Sequence, residues 1–302
     1  MSSPRNTIGH GLTKSWSWLD AFANVFGAIV GGFYKITGTR PIKNLLHGTW
    51  ILQHPLHPAL TDATVGGYTA MVALDVFYLI SRDATLIRAA DAVLVFSFAT
   101  SLLSIVSGLT DWNDTYDEER RNGMLHGLTM VVATVLFLIS LWIRLGSGLP
   151  ARDGAIYVGI VGWIVMTLAA FLGGEQVFGY GTQINRQAWS DTKTKWEKLD
   201  VAAKGLNDRK PVVGKTKEGV EVMVAQVDGK LYAMTKVCTH AGGPLDEGKW
   251  VGGDRCQIEC PWHLSRFDIR TGKAVGGPAT FDEIPYETRV SDSGFVEVRA
   301  KD

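Results

Sequence analysis

Apolar residues follow two regimes along this chain. Before Gly174 they come in long runs, whereas beyond Gly181 they alternate with polar residues over short intervals punctuated by turn formers. Four runs, 63–81, 92–110, 125–143 and 154–174, are long enough to cross a bilayer as helices, which takes roughly 17 to 25 residues. Asp75 and His126 are the only ionisable residues inside them. A core helix of a soluble domain would show charge on its outer face every third or fourth position, so the pattern predicts a four-helix transmembrane bundle. A weaker apolar stretch over 15–36 has Trp16 and Trp18 at its start and holds Asp20 and Lys35. It predicts an amphipathic helix lying at the membrane interface, with docking on protein as the alternative. Asp75 stands mid-span with no charged neighbour in sequence and calls for a proton, a polar cavity or, as the expected solution, a hydrogen bond to another helix.

After a charged linker over 182–200, the segment VEVMVAQVDGKLYAM reads as two β-rich runs joined by Asp228-Gly229, a two-residue hairpin turn. Gly242-Gly243, Gly252-Gly253 and Gly276-Gly277-Pro278 punctuate the remainder, as expected of a compact antiparallel all-β domain. The predicted organisation is multidomain: an N-terminal segment with an interfacial helix (1–57), the transmembrane bundle (58–182) and the β domain (196–302).

Four spans put both termini on one side. Arg40, Lys43, Arg120, Arg121, Arg186, Lys193 and Lys195 flank that face, against Arg82, Arg88, Arg144 and Arg152 on the other. This bias predicts the β domain on the cytoplasmic side of a bacterial cytoplasmic membrane, in contact with lipid through the spans. Arg120-Arg121 is read as a topology anchor rather than an export signal, because the fourth span returns the chain to its original side. The opening residues lack the apolar core and cleavage site of a secretory signal, so the N-terminus is expected to be retained.

Composition narrows the chemistry. Lys plus Arg and Asp plus Glu both total 30, leaving no basic surplus for a nucleic-acid partner. The three cysteines, Cys238, Cys256 and Cys260, are too few and too clustered for a disulfide framework and direct attention to metal. Two loops pair a thiol with an imidazole, Cys238-Thr239-His240 and Cys260-Pro261-Trp262-His263, 19 residues apart. Such a set suits a 2Fe-2S cluster with Cys238 and Cys260 on one iron and His240 and His263 on the other, or a tetrahedral zinc ion.

The framework around these loops, CTHAGGPLDEG, CPWH and RFDIRTGKAVGGPA, resembles the Rieske ferredoxins and oxygenase ferredoxins over nearly the whole β domain. The resemblance favours the cluster over zinc and implies one-electron transfer between a soluble redox partner protein and a membrane acceptor or oxygenase. The chain departs from the quinol-oxidising members in lacking their loop-linking cysteine pair and in having Phe267 where they place a tyrosine; Ser265 remains to give a hydroxyl to a cluster sulfur. Fewer such hydrogen bonds predict a potential below that of the quinol-oxidising proteins. Leu264 stands where the family usually has glycine, so the second loop is expected to differ locally. Cys256 is expected to be a small buried hydrophobe. No two-histidine-one-carboxylate pattern follows His263, which argues against a self-contained oxygenase. A redox sensor or regulatory subunit, or a quinone-linked oxidoreductase subunit, are the alternatives to a carrier.

The stretches HGTWILQHPLHPALTD, SGLTDW, NGMLHG and FLGGEQVFGYG are similar to a family of bacterial four-helix membrane modules of uncharacterised function, over residues 45–182. In the predicted topology His54, His57, Asp111, His126 and Glu175 gather at one membrane face, where they form a candidate site for haem, a metal ion or a quinone headgroup. Haem b between His57 and His126 is its sharpest version, and plain capping of helix ends is the alternative.

Overall fold

The structure is a computed structural model that describes residues 8–13, 16, 18–36, 40–146, 152–190, 192 and 194–301. Ser15, Ser17 and Lys193, which entered the sequence reading, lie outside the described residues. The chain divides into two compact units, one of Met1–Thr39 with Leu56–Gly181 and one of Arg40–Pro55 with Thr182–Asp302.

The described helices are α1 (Ile8–Thr13), α2 (Trp18–Ile36), α3 (Arg40–His47), α4 (Leu56–Ser81), α5 (Ala84–Asn113), α6 (Asp117–Gly146) and α7 (Arg152–Glu175), the last running on into a π turn (Gln176–Tyr180). All but α3 belong to the first unit, and α4 to α7 are long and apolar enough to cross a membrane. Each contains one predicted span and extends past it, because polar residues can carry a helix beyond its apolar stretch. Asp83 sets the start of α5 by accepting a hydrogen bond from Thr85 N–H at 2.9 Å.

Small residues let the helices of each pair approach closely: a Cβ added to Gly67 of α4 would lie 2.2 Å from Ser97 Oγ, and one on Gly159 of α7 would lie 3.3 Å from Ser140 Oγ. Such contacts matter in a lipid setting, where burial of apolar surface gives little drive for helix association. Tyr68 and Phe137 stack face to face with centroids 3.6 Å apart at the centre. Asp75 has a partner that sequence proximity could not show. Arg144, read from the sequence as a flanking charge, is fully buried and donates to Asp75 from both terminal nitrogens, one at 3.0 Å, and to Asp91 at 3.1 Å; Asp91 in turn binds Arg152 at 2.6 Å.

Along α2, Leu19, Ala23 and Phe26 pack on Trp112, Met124 and Leu128, while Trp18, Phe22, Val25, Ile29 and Phe33 form an exposed apolar stripe. The helix is therefore docked on protein and still presents the face that an interfacial helix needs. Arg120 donates to Ala23 O at 3.2 Å and Arg121 to Asp20 at 2.8 Å, so the arginine pair fastens α2 to α6.

The second unit is built of β1 (Glu197–Ala202), β2 (Val212–Lys215), β3 (Glu221–Val227), β4 (Lys230–Thr235), β5 (Lys249–Val251), β6 (Gln257–Glu259), β7 (Arg266–Asp268), β8 (Ala274–Gly276), β9 (Pro285–Val290) and β10 (Phe295–Ala300). They form a six-stranded sheet in the order β1-β10-β9-β4-β3-β2 and a four-stranded sheet in the order β5-β6-β7-β8, with antiparallel neighbours throughout. The predicted hairpin joins β3 to β4 with Asp228 at φ 50° and Gly229 at φ 81°, the left-handed pair that a two-residue turn requires. Helix α3 and the residues after it pack on this unit: Gly277 N–H donates to Asn44 Oδ1 at 3.1 Å, and the Thr49 hydroxyl to Ala279 O at 2.9 Å.

Candidate metal centre

The two cysteine-histidine loops leave the β scaffold at neighbouring points. The first follows β4, where Val237 bridges to Pro244, Cys238 N–H donates to Gly243 O and Gly242 N–H returns to Cys238 O, each at 2.9 Å. Gly242, at φ 83°, makes the reversal that this ring of bonds demands. The second loop joins β6 to β7, with Cys260 N–H on Ser265 O at 2.8 Å and Leu264 N–H on Cys260 O at 3.1 Å. Each loop is thus a tight turn closed on its own cysteine.

These turns bring all four predicted donors together. Cys238 and Cys260 are buried in one core cluster, and the rings of His240 and His263 stand 4.8 Å apart at 76°. The Cys238 thiol beside it, with help from the N–H groups of Trp262 and His263, holds Cys260 down to about 7, while Cys238 is pushed up. A thiol held below its usual range gives up its proton to a metal more readily, as a cluster ligand must. Gly243 is part of the site by virtue of having no side chain: a Cβ there would lie 2.6 Å from Cys260 Sγ.

The Rieske 2Fe-2S domain family matches the chain over residues 197–286. The ferredoxin component of the naphthalene 1,2-dioxygenase system of Pseudomonas putida is 37% identical over 81 residues, covering 27% of this chain and 75% of the relative. The chain belongs to the Rieske family. Sulredoxin of Sulfurisphaera tokodaii is 36% identical over 112 residues, covering 33% of the chain and 95% of the relative. Among solved structures, the ferredoxin of carbazole 1,9a-dioxygenase from Nocardioides aromaticivorans is 29% identical, with a TM-score of 0.32, covering 35% of this chain and 99% of that one. Residues 53–186 match a second family, described as a predicted membrane protein (DUF2231), in accord with the four long apolar helices.

The Rieske domain therefore implies a 2Fe-2S cluster, and two thiols beside two converging imidazoles are a donor set that fits one. Ser265 is fully buried; its hydroxyl oxygen accepts from Ala279 N–H at 2.9 Å, which leaves its proton to give. Phe267 is fully buried in the core beneath the loops, and Cys256 packs in the same core. Leu264 adopts φ 63°, so the loop keeps the left-handed geometry that glycine favours while carrying a half-exposed leucine.

Glu283 is a residue that sequence reasoning missed. Its carboxyl is buried beneath the first loop and accepts from Thr239 N–H at 2.7 Å and from the Thr235 hydroxyl at 2.6 Å. Burial, only partly offset by these donors, pushes it up to about 8. Nothing in TFDEIP distinguishes Glu283 from the exposed Asp282 beside it; a carboxylate facing the hinge of a ligand loop becomes visible only once the sheet is closed.

Of the five side chains grouped in the membrane half, the structure brings together His57 and His126, whose ring centroids are 6.4 Å apart. Asp111 and Glu175 lie near the ends of α5 and α7, and among the described residues neither joins the two rings in a donor set of three. His54 belongs to the other unit, with Nδ1 3.0 Å from Pro55 O.

Proposed function

We propose that this protein is a membrane-anchored Rieske electron carrier in which Cys238 and Cys260 hold one iron and His240 and His263 the other. The observation that carries this reading is the meeting of two self-closed turns, which sets paired thiols in the core and paired imidazoles 4.8 Å apart. The cluster, when bound, supplies reversible one-electron transfer. The chain's own residues fix its surroundings. The N–H groups of His240, Trp262 and His263 face the two sulfurs, the Ser265 hydroxyl has a proton left to give, and Phe267 offers none. This inventory supports a potential in the lower part of the Rieske range of about −150 to +300 mV.

Relatives that serve as ferredoxin components of dioxygenase systems support a soluble redox partner on one side of the transfer. The four apolar helices support a membrane-held acceptor or oxygenase on the other. The basic flanks support a cytoplasmic position for the Rieske domain. In membranes, the carrier reading expects rapid reduction and reoxidation of the cluster; turnover far below respiratory rates would instead favour a redox sensor. Redox titration of the detergent-purified chain should give a low midpoint, and one near +300 mV contradicts the hydrogen-bond inventory. Protease added to inverted vesicles should release the Rieske domain, whereas release from right-side-out vesicles would reverse the orientation.

A further inference from the structure

The histidine pair of the helical unit is built the same way twice. His57 on α4 sets Nδ1 2.9 Å from the carbonyl oxygen of Ser104, and its ring lies on Gly108, one turn further along α5. His126 on α6 sets Nδ1 2.7 Å from the carbonyl oxygen of Ala169, and its ring lies on Gly173, one turn further along α7. A Cβ added to Gly108 would stand 2.7 Å from His57 Cε1, and one on Gly173 would stand 3.0 Å from His126 Cε1. In each pair of helices, the first gives an imidazole and the second gives the carbonyl that orients it and the glycine that makes room for it.

A carbonyl only accepts, so each Nδ1 carries a proton, and in the neutral ring the lone pair is then on Nε2. Nε2 lies across the ring from the bonded carbonyl, and among the described residues neither Nε2 receives a hydrogen bond. Imidazole ligands to metals are prepared in this way, with the outer nitrogen held by a carbonyl and the inner one free. The two ring centroids are 6.4 Å apart and the planes are at 80°. Two metal–nitrogen bonds of about 2 Å, plus about 1 Å from nitrogen to ring centre on each side, span about 6 Å. The pair that the helices bring together is two imidazoles. Two donors are too few for a bare zinc ion, which takes four. Haem iron brings four nitrogens of its own and accepts an axial ligand on each face. No cysteine precedes Cys238, so such a haem would be held without thioether bonds.

We infer that His57 and His126 are the two axial ligands of one non-covalently bound haem in the helical unit. The inference concerns a site separate from the Rieske loops and stands or falls independently of them. The test is the full chain, expressed with 5-aminolaevulinate, purified in detergent, and assayed for haem as the pyridine adduct and by low-temperature electron paramagnetic resonance. Haem near one per chain with a low-spin, bis-imidazole signal is expected. His57→Ala and His126→Ala should each lower haem content about tenfold, and Gly108→Ala should lower it by displacing the His57 ring while leaving its chemistry intact. His126→Met, which keeps an axial donor, should retain haem with an altered spectrum and a raised potential, a change that a purely structural histidine would not produce. Elution as a single monodisperse species with an unchanged helical circular-dichroism spectrum is the folding control. Haem-free protein that passes this control, with or without bound quinone, overturns the inference, as does unchanged haem in the double alanine variant.

Discussion

Both units bury a carboxylate, and they neutralise it by opposite means. In the helical unit Asp75 meets Arg144, a full counter-charge that also pairs with Asp91, itself bound by Arg152. In the Rieske unit Glu283 meets a hydroxyl and an N–H, and burial raises its affinity for a proton. The difference follows from what each site can tolerate. A helix bundle in lipid gains specificity from a charge pair that is costly to separate. Beneath a cluster loop, a fixed cation would alter the charge felt by the metal ligands, whereas a carboxyl that can hold a proton positions the loop without one.

The comparison can be broken at several points, and the largest effect is expected at the ion pair. Arg144→Leu leaves Asp75 buried with no cation and should destabilise the helical unit by ~3–5 kcal/mol, read from unfolding in mixed detergent. Combining it with Asp75→Asn should recover much of that loss; a loss below ~1 kcal/mol in the single variant would mean the pair is not buried in the membrane protein. At Glu283, alanine leaves the Thr239 N–H and the Thr235 hydroxyl unsatisfied, at about 1–3 kcal/mol for each group, while glutamine keeps one acceptor oxygen, enough for the Thr239 N–H, and replaces the other with an amide NH2.

The two Glu283 variants also separate by pH. A carboxyl whose folded value is raised from 4.5 to about 8 contributes stability that is complete below 4.5 and is lost as pH rises towards 8. Glu283→Gln should flatten that slope in denaturation curves, and an unchanged slope would assign it to another group. Gly243→Ala drives a methyl group against Cys260 Sγ, and overpacking of this kind costs about 1–3 kcal/mol. Its expected signature is lowered iron and sulfide content in purified protein, and full cluster occupancy would show that the loops yield easily. The smallest change is Leu264→Gly, which relieves a left-handed leucine worth ~1–2 kcal/mol but frees the unfolded chain, for a net gain below ~1 kcal/mol in thermal unfolding.

What could be read from the sequence, and what could not, divides along the range of the interactions. The four spans, the Asp228-Gly229 hairpin and the cysteine-histidine loops are local patterns, and the structure contains each of them. The Asp75–Arg144 pair links residues 69 apart in sequence, and an arginine at the end of an apolar run looks the same whether it faces solvent or core. Packing of α3 on the loop around Gly277 joins positions more than two hundred residues apart, and α3 itself carries no apolar run to announce it. Gly243 and Gly108 read as ordinary glycines until the atoms they admit are in place. The sequence did point to His57 and His126 as a pair, but the carbonyls that orient them became visible only with the helices packed.

The most direct test of the account is iron and acid-labile sulfide analysis of anaerobically purified full-length protein, paired with electron paramagnetic resonance after reduction. Two irons and two sulfides per chain with a rhombic Rieske spectrum, lost together in Cys260→Ser, are predicted. Stoichiometric zinc with neither iron nor sulfide would contradict it.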